Sequence, residues 1–157
     1  MKEKPLIKVK DIMNQNIITI TEQTSIVEAA KLMTKHNIGF LPILNNDKLV
    51  GVITDRDIIK NVINKEKDIY AAVKIAMTTN TITVNKNDDI SIAITKMANN
   101  QIRRIIVIDK NRIVGIISIS DISNNIHTNI YLKDLMTEIL LEHSHTPFLS
   151  LNSSIKI

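Results

Sequence analysis

Two short segments of the sequence carry a hydroxyl and a carboxylate at the same spacing. Thr54 and Asp57 follow the apolar run LVGVI, and Ser118 and Asp121 follow RIVGII. Such a pair at a helix start can form a capping box, in which each side chain bonds a backbone N–H of the other residue. The same groups could serve a ligand, since a helix start attracts phosphate and an aspartate accepts hydrogen bonds from ribose hydroxyls. The sequence leaves both interpretations open.

Gly51 and Gly115 precede these pairs, each inside an apolar run. The chain has only three glycines, and glycine inside a strand weakens it unless another group approaches the backbone closely. We therefore expect a close approach to the backbone at both positions.

The two segments belong to a tandem repeat. An ungapped offset of 64 residues superimposes the first half of the chain on the second, and internal repetition of this kind sets the architecture. The matched pairs include Val9 with Val73, Met13 with Met77, Ile18 with Ile82, Thr19 with Thr83, Met33 with Met97, Gly51 with Gly115 and Asp57 with Asp121.

Each repeat has the same predicted order of elements. A short strand (IITI or TITV) precedes a helix (SIVEAAKLMTKHN or DISIAITKMANNQ) whose apolar residues recur at helical spacing behind a Ser or Asp. Two apolar runs joined by NNDK or DKNR then form a hairpin, and a second helix starts at Thr54 or Ser118. The unit is β-α-β-β-α, an α+β fold. At about 60 residues it buries too little surface alone, so two copies must pack together.

This double pattern resembles a tandem pair of CBS domains, the regulatory repeats named after cystathionine β-synthase. The resemblance rests on the two apolar strands ending in G-x-x-[ST]-x-x-D, each behind its own helix and hairpin, and it covers about residues 7–127. It implies two repeats packed sheet to sheet with pseudo-two-fold symmetry. We place the first repeat with its N-terminal lead at 1–68 and the second at 69–128.

Residues 129–157 form a C-terminal tail. Its YLKDLMT is similar to KVKDIMN and AVKIAMT, which open the two repeats. The tail therefore resembles the start of a third repeat, and we expect either a longer array or pairing with a neighbouring chain. A simple C-terminal helix is the alternative.

The resemblance also implies two ligand clefts, each joining the hydroxyl and Asp of one repeat to the opening strand of the other. By position, one cleft joins Thr54 and Asp57 to Ile82 and Thr83, and the other joins Ser118 and Asp121 to Ile18 and Thr19. Family members often carry a basic phosphate ligand at the position of Arg104, where the first repeat has Phe40. The cleft around Asp121 is therefore the better candidate for a phosphorylated nucleotide.

Several functional classes are disfavoured by composition. The chain has no Cys, and its three glycines allow neither a P-loop nor a G-x-G-x-x-G turn. His143 and His145 lie in a polar tail without an acidic partner set, so we expect no metal site. No catalytic constellation is present, which predicts that the protein is not an enzyme and has no catalytic residues. No apolar run is long enough for a membrane helix and no signal peptide is visible, which predicts a cytoplasmic protein.

The resemblance implies a regulatory module that senses an adenine nucleotide or related adenosyl compound, such as AMP, ADP, ATP or S-adenosylmethionine. It would require no cofactor, form a homodimer and act on a regulated protein that the sequence does not identify. One alternative is a scaffold with empty clefts, in which the hydroxyl and Asp pairs only cap helices. Nucleic-acid binding is the least favoured, because the net charge of +4 is diffuse and aromatic residues make up 3%.

Overall fold

The computed structural model describes residues 7–125, together with Lys133 and Thr137. The hypothesis of a third repeat in residues 129–157 and the expectation that His143 and His145 form no metal site concern parts of the chain outside the described residues. The first repeat contains β1 (Ile20–Thr21), α1 (Ile26–His36), β2 (Phe40–Asn45), β3 (Lys48–Thr54) and α2 (Asp55–Asn61). The second contains β4 (Thr83–Asn85), α3 (Ile90–Asn99), β5 (Arg104–Asp109), β6 (Arg112–Ser118) and α4 (Ile119–Asn125). Short 3-10 helices occupy Val9–Asp11, Ile63–Lys65 and Val73–Ile75.

The long helix of each repeat begins where the sequence predicts. The Ser25 side chain accepts a hydrogen bond from the Glu28 N–H at the start of α1, and Asp89 accepts one from the Ser91 N–H at the start of α3. Both caps satisfy backbone donors that have no partner inside the helix. Ile26, Ala29 and Met33 then form the buried face of α1.

Each hairpin turns through two residues with positive φ. These are Asn46 and Asp47 between β2 and β3, and Lys110 and Asn111 between β5 and β6. Two successive left-handed residues match the twist of the flanking strands, and Asn and Asp tolerate this conformation well. The predicted hairpins are confirmed.

The strands form two three-stranded sheets, in the orders β1-β2-β3 and β4-β5-β6. In each sheet the short first strand is parallel to the middle strand, and the last strand is antiparallel to it. The sheets contact each other through β3 and β6. The predicted α+β fold of two β-α-β-β-α repeats, packed with pseudo-two-fold symmetry, is confirmed.

The two repeats exchange the segments that open them. We call residues 7–14 the first lead and residues 71–78 the second lead. Val9 is fully buried in the hydrophobic core of the second repeat, and Val73 is fully buried in the core of the first. Each half of the pair is therefore completed by chain from the other half. The division of the chain into repeats at 1–68 and 69–128 stays a prediction.

Backbone hydrogen bonds fix both leads on the opposite sheet. Asn14 and Ile116 exchange two N–H to carbonyl hydrogen bonds of 2.8 and 2.9 Å, and Thr78 and Val52 exchange two of 2.9 Å. Each lead thus forms one isolated antiparallel bridge, the first lead with β6 and the second lead with β3. Within residues 7–125, no helix is long and apolar enough to span a bilayer.

Candidate functional site

Both hydroxyl and Asp pairs form capping boxes. Asp57 Oδ2 accepts hydrogen bonds from the Thr54 N–H at 2.9 Å and the Thr54 hydroxyl at 2.8 Å. The Asp57 N–H donates back to Thr54 Oγ1 at 3.1 Å. Ser118 and Asp121 repeat this arrangement, with the Ser118 N–H at 2.8 Å from Asp121 Oδ2 and the Asp121 N–H at 3.1 Å from Ser118 Oγ. The capping geometry inferred from the sequence is present in both repeats.

Capping leaves half of each carboxylate available. All three hydrogen bonds to each pair involve Oδ2 or the hydroxyl, and Oδ1 of Asp57 and of Asp121 has no donor among residues 7–125. Both side chains are half-buried. Since an ionised carboxylate can accept about four hydrogen bonds, Oδ1 can still accept from a ligand hydroxyl. Capping and ligand binding are therefore compatible roles for one residue.

The hydroxyls of Thr54 and Ser118 are both engaged in the capping boxes. Thr54 and Ser118 each give their only O–H proton to the neighbouring carboxylate. The remaining lone pairs of the hydroxyl are acceptors, and a phosphate oxygen needs a donor. Donation to phosphate would require the hydroxyl to rotate away from the Asp.

A cleft of about 200 Å³ opens between the repeats next to Asp121. Its walls come from the first lead, the first repeat and the second repeat. The lining residues are Asn14, Asn16, Ile18, Ile38, Phe40, Arg104, Ile116, Ser118 and Asp121. The structure thus brings Ile18, Arg104, Ser118 and Asp121 together at one cleft. Thr19 is exposed and does not line it.

Arg104 reaches this cleft because of its position in the sheet. It is the first residue of β5 and lies directly opposite Ser118 of β6. The neighbouring Arg103 does not line the cleft, and its carbonyl accepts a hydrogen bond from the Ile119 N–H at 3.0 Å. Successive strand residues point to opposite faces, so only one of the two guanidinium groups is on the cleft side.

Several lining residues were not predicted from the sequence. Asn14 is held against β6 by its backbone pair with Ile116, and its Oδ1 accepts from the Asn16 N–H. Ile38 lies between α1 and β2, and Phe40 is the first residue of β2. Alternation along Asn14, Asn16 and Ile18 was the available signal, because residues two apart share a face of an extended segment. No comparable local signal marks Phe40.

Thr54 and Asp57 have the same places in the first repeat as Ser118 and Asp121 have in the second. Thr54 ends β3 and Asp57 is in the first turn of α2, while the second lead pairs with Val52 two residues before Thr54. Ile82 packs against the core of the second repeat. Thr83 begins β4, and its carbonyl accepts a hydrogen bond from Lys96 Nζ at 2.7 Å. The grouping of Thr54 and Asp57 with Ile82 and Thr83 as a second cleft stays a prediction.

Gly51 and Gly115 leave the space that the leads occupy. A Cβ at Gly115 would lie 2.6 Å from Met13 Sδ and 3.2 Å from the Asn14 carbonyl oxygen. One at Gly51 would lie 2.9 Å from the Thr78 carbonyl oxygen. The expected close approach to the backbone is present, and the approaching group is the lead of the other repeat.

The part of the chain that the structure describes contains no cluster of three or more His, Asp or Glu side chains that could hold a metal ion. The polar groups at the cleft are one carboxylate, one guanidinium, one hydroxyl and two amides, with aliphatic and aromatic surface around them. Such a set can hold a ligand that has a flat apolar part, hydroxyl groups and an anionic group.

The chain is similar to proteins with paired CBS repeats. The CBS domain model matches residues 9–64 and 67–128. The CBS domain-containing protein YhcV of Bacillus subtilis is 34% identical over 137 residues, which cover 87% of this chain and 98% of YhcV. The L-aspartate semialdehyde sulfurtransferase of Methanocaldococcus jannaschii is 39% identical over 123 residues, which cover 77% of this chain and 23% of that enzyme.

Solved structures agree with the family model. The CBS domain pair of protein MJ0100, in complex with 5′-methylthioadenosine and S-adenosyl-L-methionine, aligns with a TM-score of 0.71 and 38% identity. The alignment covers 77% of this chain and 96% of that one. The two sheets with exchanged leads, the repeated capping boxes and the two matches of the family model lead to one conclusion: the chain belongs to the CBS domain family and carries two CBS domains in tandem.

Proposed function

We propose that the chain is a regulatory module that binds an adenosyl compound in the cleft beside Asp121. The single observation that carries this proposal is the composition of the cleft, to which both repeats contribute. A ligand in this position contacts both halves of the pair at once. It can therefore favour one relative arrangement of the repeats over another, which is the requirement for passing a signal to a partner.

The lining residues fit the parts of an adenosyl compound. Ile18, Ile38 and Phe40 offer apolar surface for the adenine ring. Asp121 Oδ1 is available to accept hydrogen bonds from the ribose hydroxyls, and Arg104 can form charge-assisted hydrogen bonds to a phosphate. A volume of about 200 Å³ is below the roughly 300 Å³ of common ligand pockets. We infer that the ligand is about the size of one nucleoside, with its charged group at the mouth.

A relative supports the class of ligand. The pair of protein MJ0100, which is 38% identical to this chain, was solved with 5′-methylthioadenosine and S-adenosyl-L-methionine. Among adenosyl compounds, Arg104 favours AMP, ADP or ATP for the cleft beside Asp121. The cleft predicted from Thr54, Asp57, Ile82 and Thr83 is part of the proposal, as are the homodimer, the cytoplasmic location and a regulated protein partner. No cofactor is needed for this role.

A thermal-shift titration tests the proposal. The purified protein is titrated with AMP, ADP, ATP, S-adenosylmethionine and 5′-methylthioadenosine, with guanosine nucleotides as controls. A ligand at a hundred times its dissociation constant stabilises the fold by about 2.7 kcal/mol, which raises the melting temperature by several degrees. We expect a selective rise with at least one adenosyl compound.

The substitution Asp121→Asn separates the capping role of this residue from its proposed contact with the ligand. The asparagine oxygen can still accept the Ser118 N–H and so keep the cap, while the charge at the ribose position is lost. We expect the variant to melt within a few degrees of the wild type and to lose most of the ligand-induced rise. A wild-type protein that responds to no adenosyl compound would contradict the proposal.

The capping boxes favour a second candidate, a protein-interaction scaffold with empty clefts. In that case Thr54, Asp57, Ser118 and Asp121 act only as helix caps, through the bonds already described. Asp121→Ala would then lower the stability by about 1 kcal/mol with no ligand response to lose. The same titration distinguishes the two candidates.

A further inference from the structure

The C-terminal tail contains a third copy of the lead sequence. Residues 131–137, which we call the tail motif, read YLKDLMT, and the matching part of the first lead reads KVKDIMN. Leu132 takes the position of the buried Val9, and K-D-L-M takes the position of K-D-I-M. The second lead has K-I-A-M there. The tail motif is therefore closer to the first lead in the residues that pack.

The aspartate shared by the tail motif and the first lead has a structural role. Asp11 Oδ2 accepts a hydrogen bond from the Lys8 N–H at 3.0 Å, at the start of the 3-10 helix of the first lead. Asp134 follows Tyr131 by the same three residues, so the tail motif can form the same bond. The second lead has Ile75 at this position. The tail motif thus has the polar group that fixes the conformation of the first lead.

The two leads occupy equivalent sites. Each enters beside the start of a long helix, where the Ile26 N–H donates to the Ala71 carbonyl at 3.0 Å and the Ile90 N–H donates to the Ile7 carbonyl at 2.9 Å. Each then crosses a strand glycine and buries a valine in the core beneath. We call the place that the first lead fills, over Gly115, the lead site of the second repeat.

The order of the chain directs the tail motif to this site. The second lead follows α2 and packs on the first repeat, which the chain has just left. The tail motif follows α4, so the same connection leads it to the second repeat, where the first lead is bound. Tyr131 comes six residues after Asn125, the last residue of α4. Six extended residues span about 20 Å, about twice the distance between packed helices, so the connection can pass a neighbouring helix.

Two residues of the tail motif show that it is outside the lead site in this structure. The Thr137 hydroxyl donates to the Lys133 carbonyl at 2.8 Å, and both residues are helical and exposed. The residue that corresponds to Thr137 in the first lead is Asn14, which forms a backbone bridge with Ile116. In the lead site, Thr137 would exchange an exposed side-chain bond for this backbone pair.

We propose that the tail motif is an alternative occupant of the lead site of the second repeat and competes for it with the first lead. Val9 is fully buried there, and leucine is larger by one methylene, so the first lead fits better and holds the site at rest. The exchange would also alter the cleft, because Thr137 and Ile139 would take the positions of Asn14 and Asn16. Both lining amides would then be replaced, which makes the exchange a conformational switch.

Engineered disulfides test the competition. The chain has no Cys, so two introduced cysteines report one contact. Thr137→Cys with Ile116→Cys should cross-link under mild oxidation, since a directly opposed antiparallel pair has Cα atoms about 5.5 Å apart. Lys133→Cys with Ile116→Cys is the matched control, because position 133 corresponds to the exposed Lys10. We expect the first pair to cross-link several times faster than the control.

Weakening the first lead should favour the tail motif. Val9→Ala, added to the pair at positions 116 and 137, should raise the cross-linking rate about tenfold, because it destabilises only the bound first lead. Met136→Asp, added instead, should nearly abolish cross-linking by placing a carboxylate against Gly115. The melting curve of each variant is checked first. If the Val9→Ala variant does not fold, the Met136→Asp result decides.

Mass spectrometry of the cross-linked peptides, in separated monomer and dimer fractions, gives the outcomes. Equal rates for the two cysteine pairs would mean a tail without fixed register and would overturn the inference. So would no effect of Val9→Ala in a folded protein, or of Met136→Asp. Cross-links found only in dimers would mean that the tail motif binds a second copy, which contradicts competition within one chain. No ligand is present, so these results are independent of the proposed function.

Discussion

At the scale of single residues, the two glycines of β3 and β6 show how closely the leads approach. Gly51 and Gly115 are both buried and both have ordinary negative φ. Glycine is required there because of space and not because of backbone conformation. The neighbouring atoms differ, however. The nearest atom to a Cβ at Gly115 belongs to the flexible Met13 side chain, whereas at Gly51 it is the Thr78 carbonyl oxygen.

This difference predicts unequal costs for two identical substitutions. Gly51→Ala should destabilise the protein by about 1–3 kcal/mol, because a backbone hydrogen-bonded to Val52 must move. Gly115→Ala should cost less, because the Met13 side chain can change rotamer. Urea unfolding of both variants measures the two free energies. Adding Met13→Ala to Gly115→Ala should cost less than the sum of the single changes. Equal costs for the two glycine variants would contradict this explanation.

At the scale of elements, equivalent strand ends are joined by different chemistry. In the second sheet, Lys86 Nζ lies 2.6 Å from Asp109 Oδ2 and links the residue after β4 to the end of β5. In the first sheet, the equivalent positions are Glu22 and Asn45, and the Asn45 amide donates to Glu22 at 2.6 Å. The repeat thus keeps the contact between the strands while changing the charges.

The contact between Lys86 and Asp109 should depend on pH. The hydrogen bond from Lys86, together with its positive charge, lowers the pKa of Asp109 below its usual value of 3.8. A lowered pKa in the folded state contributes stability at pH values above 3.8, and this contribution disappears as the pH falls through the folded-state pKa. Asp109→Asn should therefore lower the melting temperature slightly at pH 7, and the difference from the wild type should shrink as the pH falls below 3.8. The difference should also be smaller in a Lys86→Met background, where the attraction to Lys110 remains. Since the pair is partly exposed, salt should reduce the effect.

At the scale of the whole molecule, the exchange of leads makes the pair one unit. Each core contains a valine from the other half of the chain, Val9 in the second core and Val73 in the first. Neither repeat can unfold without exposing part of the other. The same exchange places Asn14 of the first lead at the cleft, beside Asn16 and Ile18, so the proposed ligand would contact the first lead directly.

Truncating either valine should therefore affect the opposite repeat. Val9→Ala and Val73→Ala each remove two buried methyl groups, at a cost of about 2 kcal/mol. Hydrogen exchange monitored by mass spectrometry should show faster exchange first in β5 and β6 for Val9→Ala, and first in β2 and β3 for Val73→Ala. Faster exchange confined to the repeat that carries the substitution would show that the leads are not exchanged in solution.

Local signals in the sequence determined most of the elements. The offset of 64 residues, the helical spacing behind Ser25 and Asp89, and the turn residues Asn46 and Asp47 correctly predicted the repeat, the long helices and the hairpins. The capping boxes were one of the two interpretations that the sequence left open, because Thr54 and Asp57 are three residues apart. In each case the interacting groups lie within a few residues of each other, so their types and spacing carry the information.

The tertiary structure decided which half of the chain completes which core and which residues face the cleft. Asn14 pairs with Ile116 and Phe40 lies at the same cleft as Asp121, and no local pattern encodes contacts between groups so far apart in sequence. The role of Gly115 depends on the same packing, since it is the Met13 side chain that occupies the space. The sequence by itself determined the two repeats and the chemical groups available for binding. Only the packing of the repeats against each other decided that Arg104 and Phe40 meet at one site, because that site exists only where the two halves come into contact.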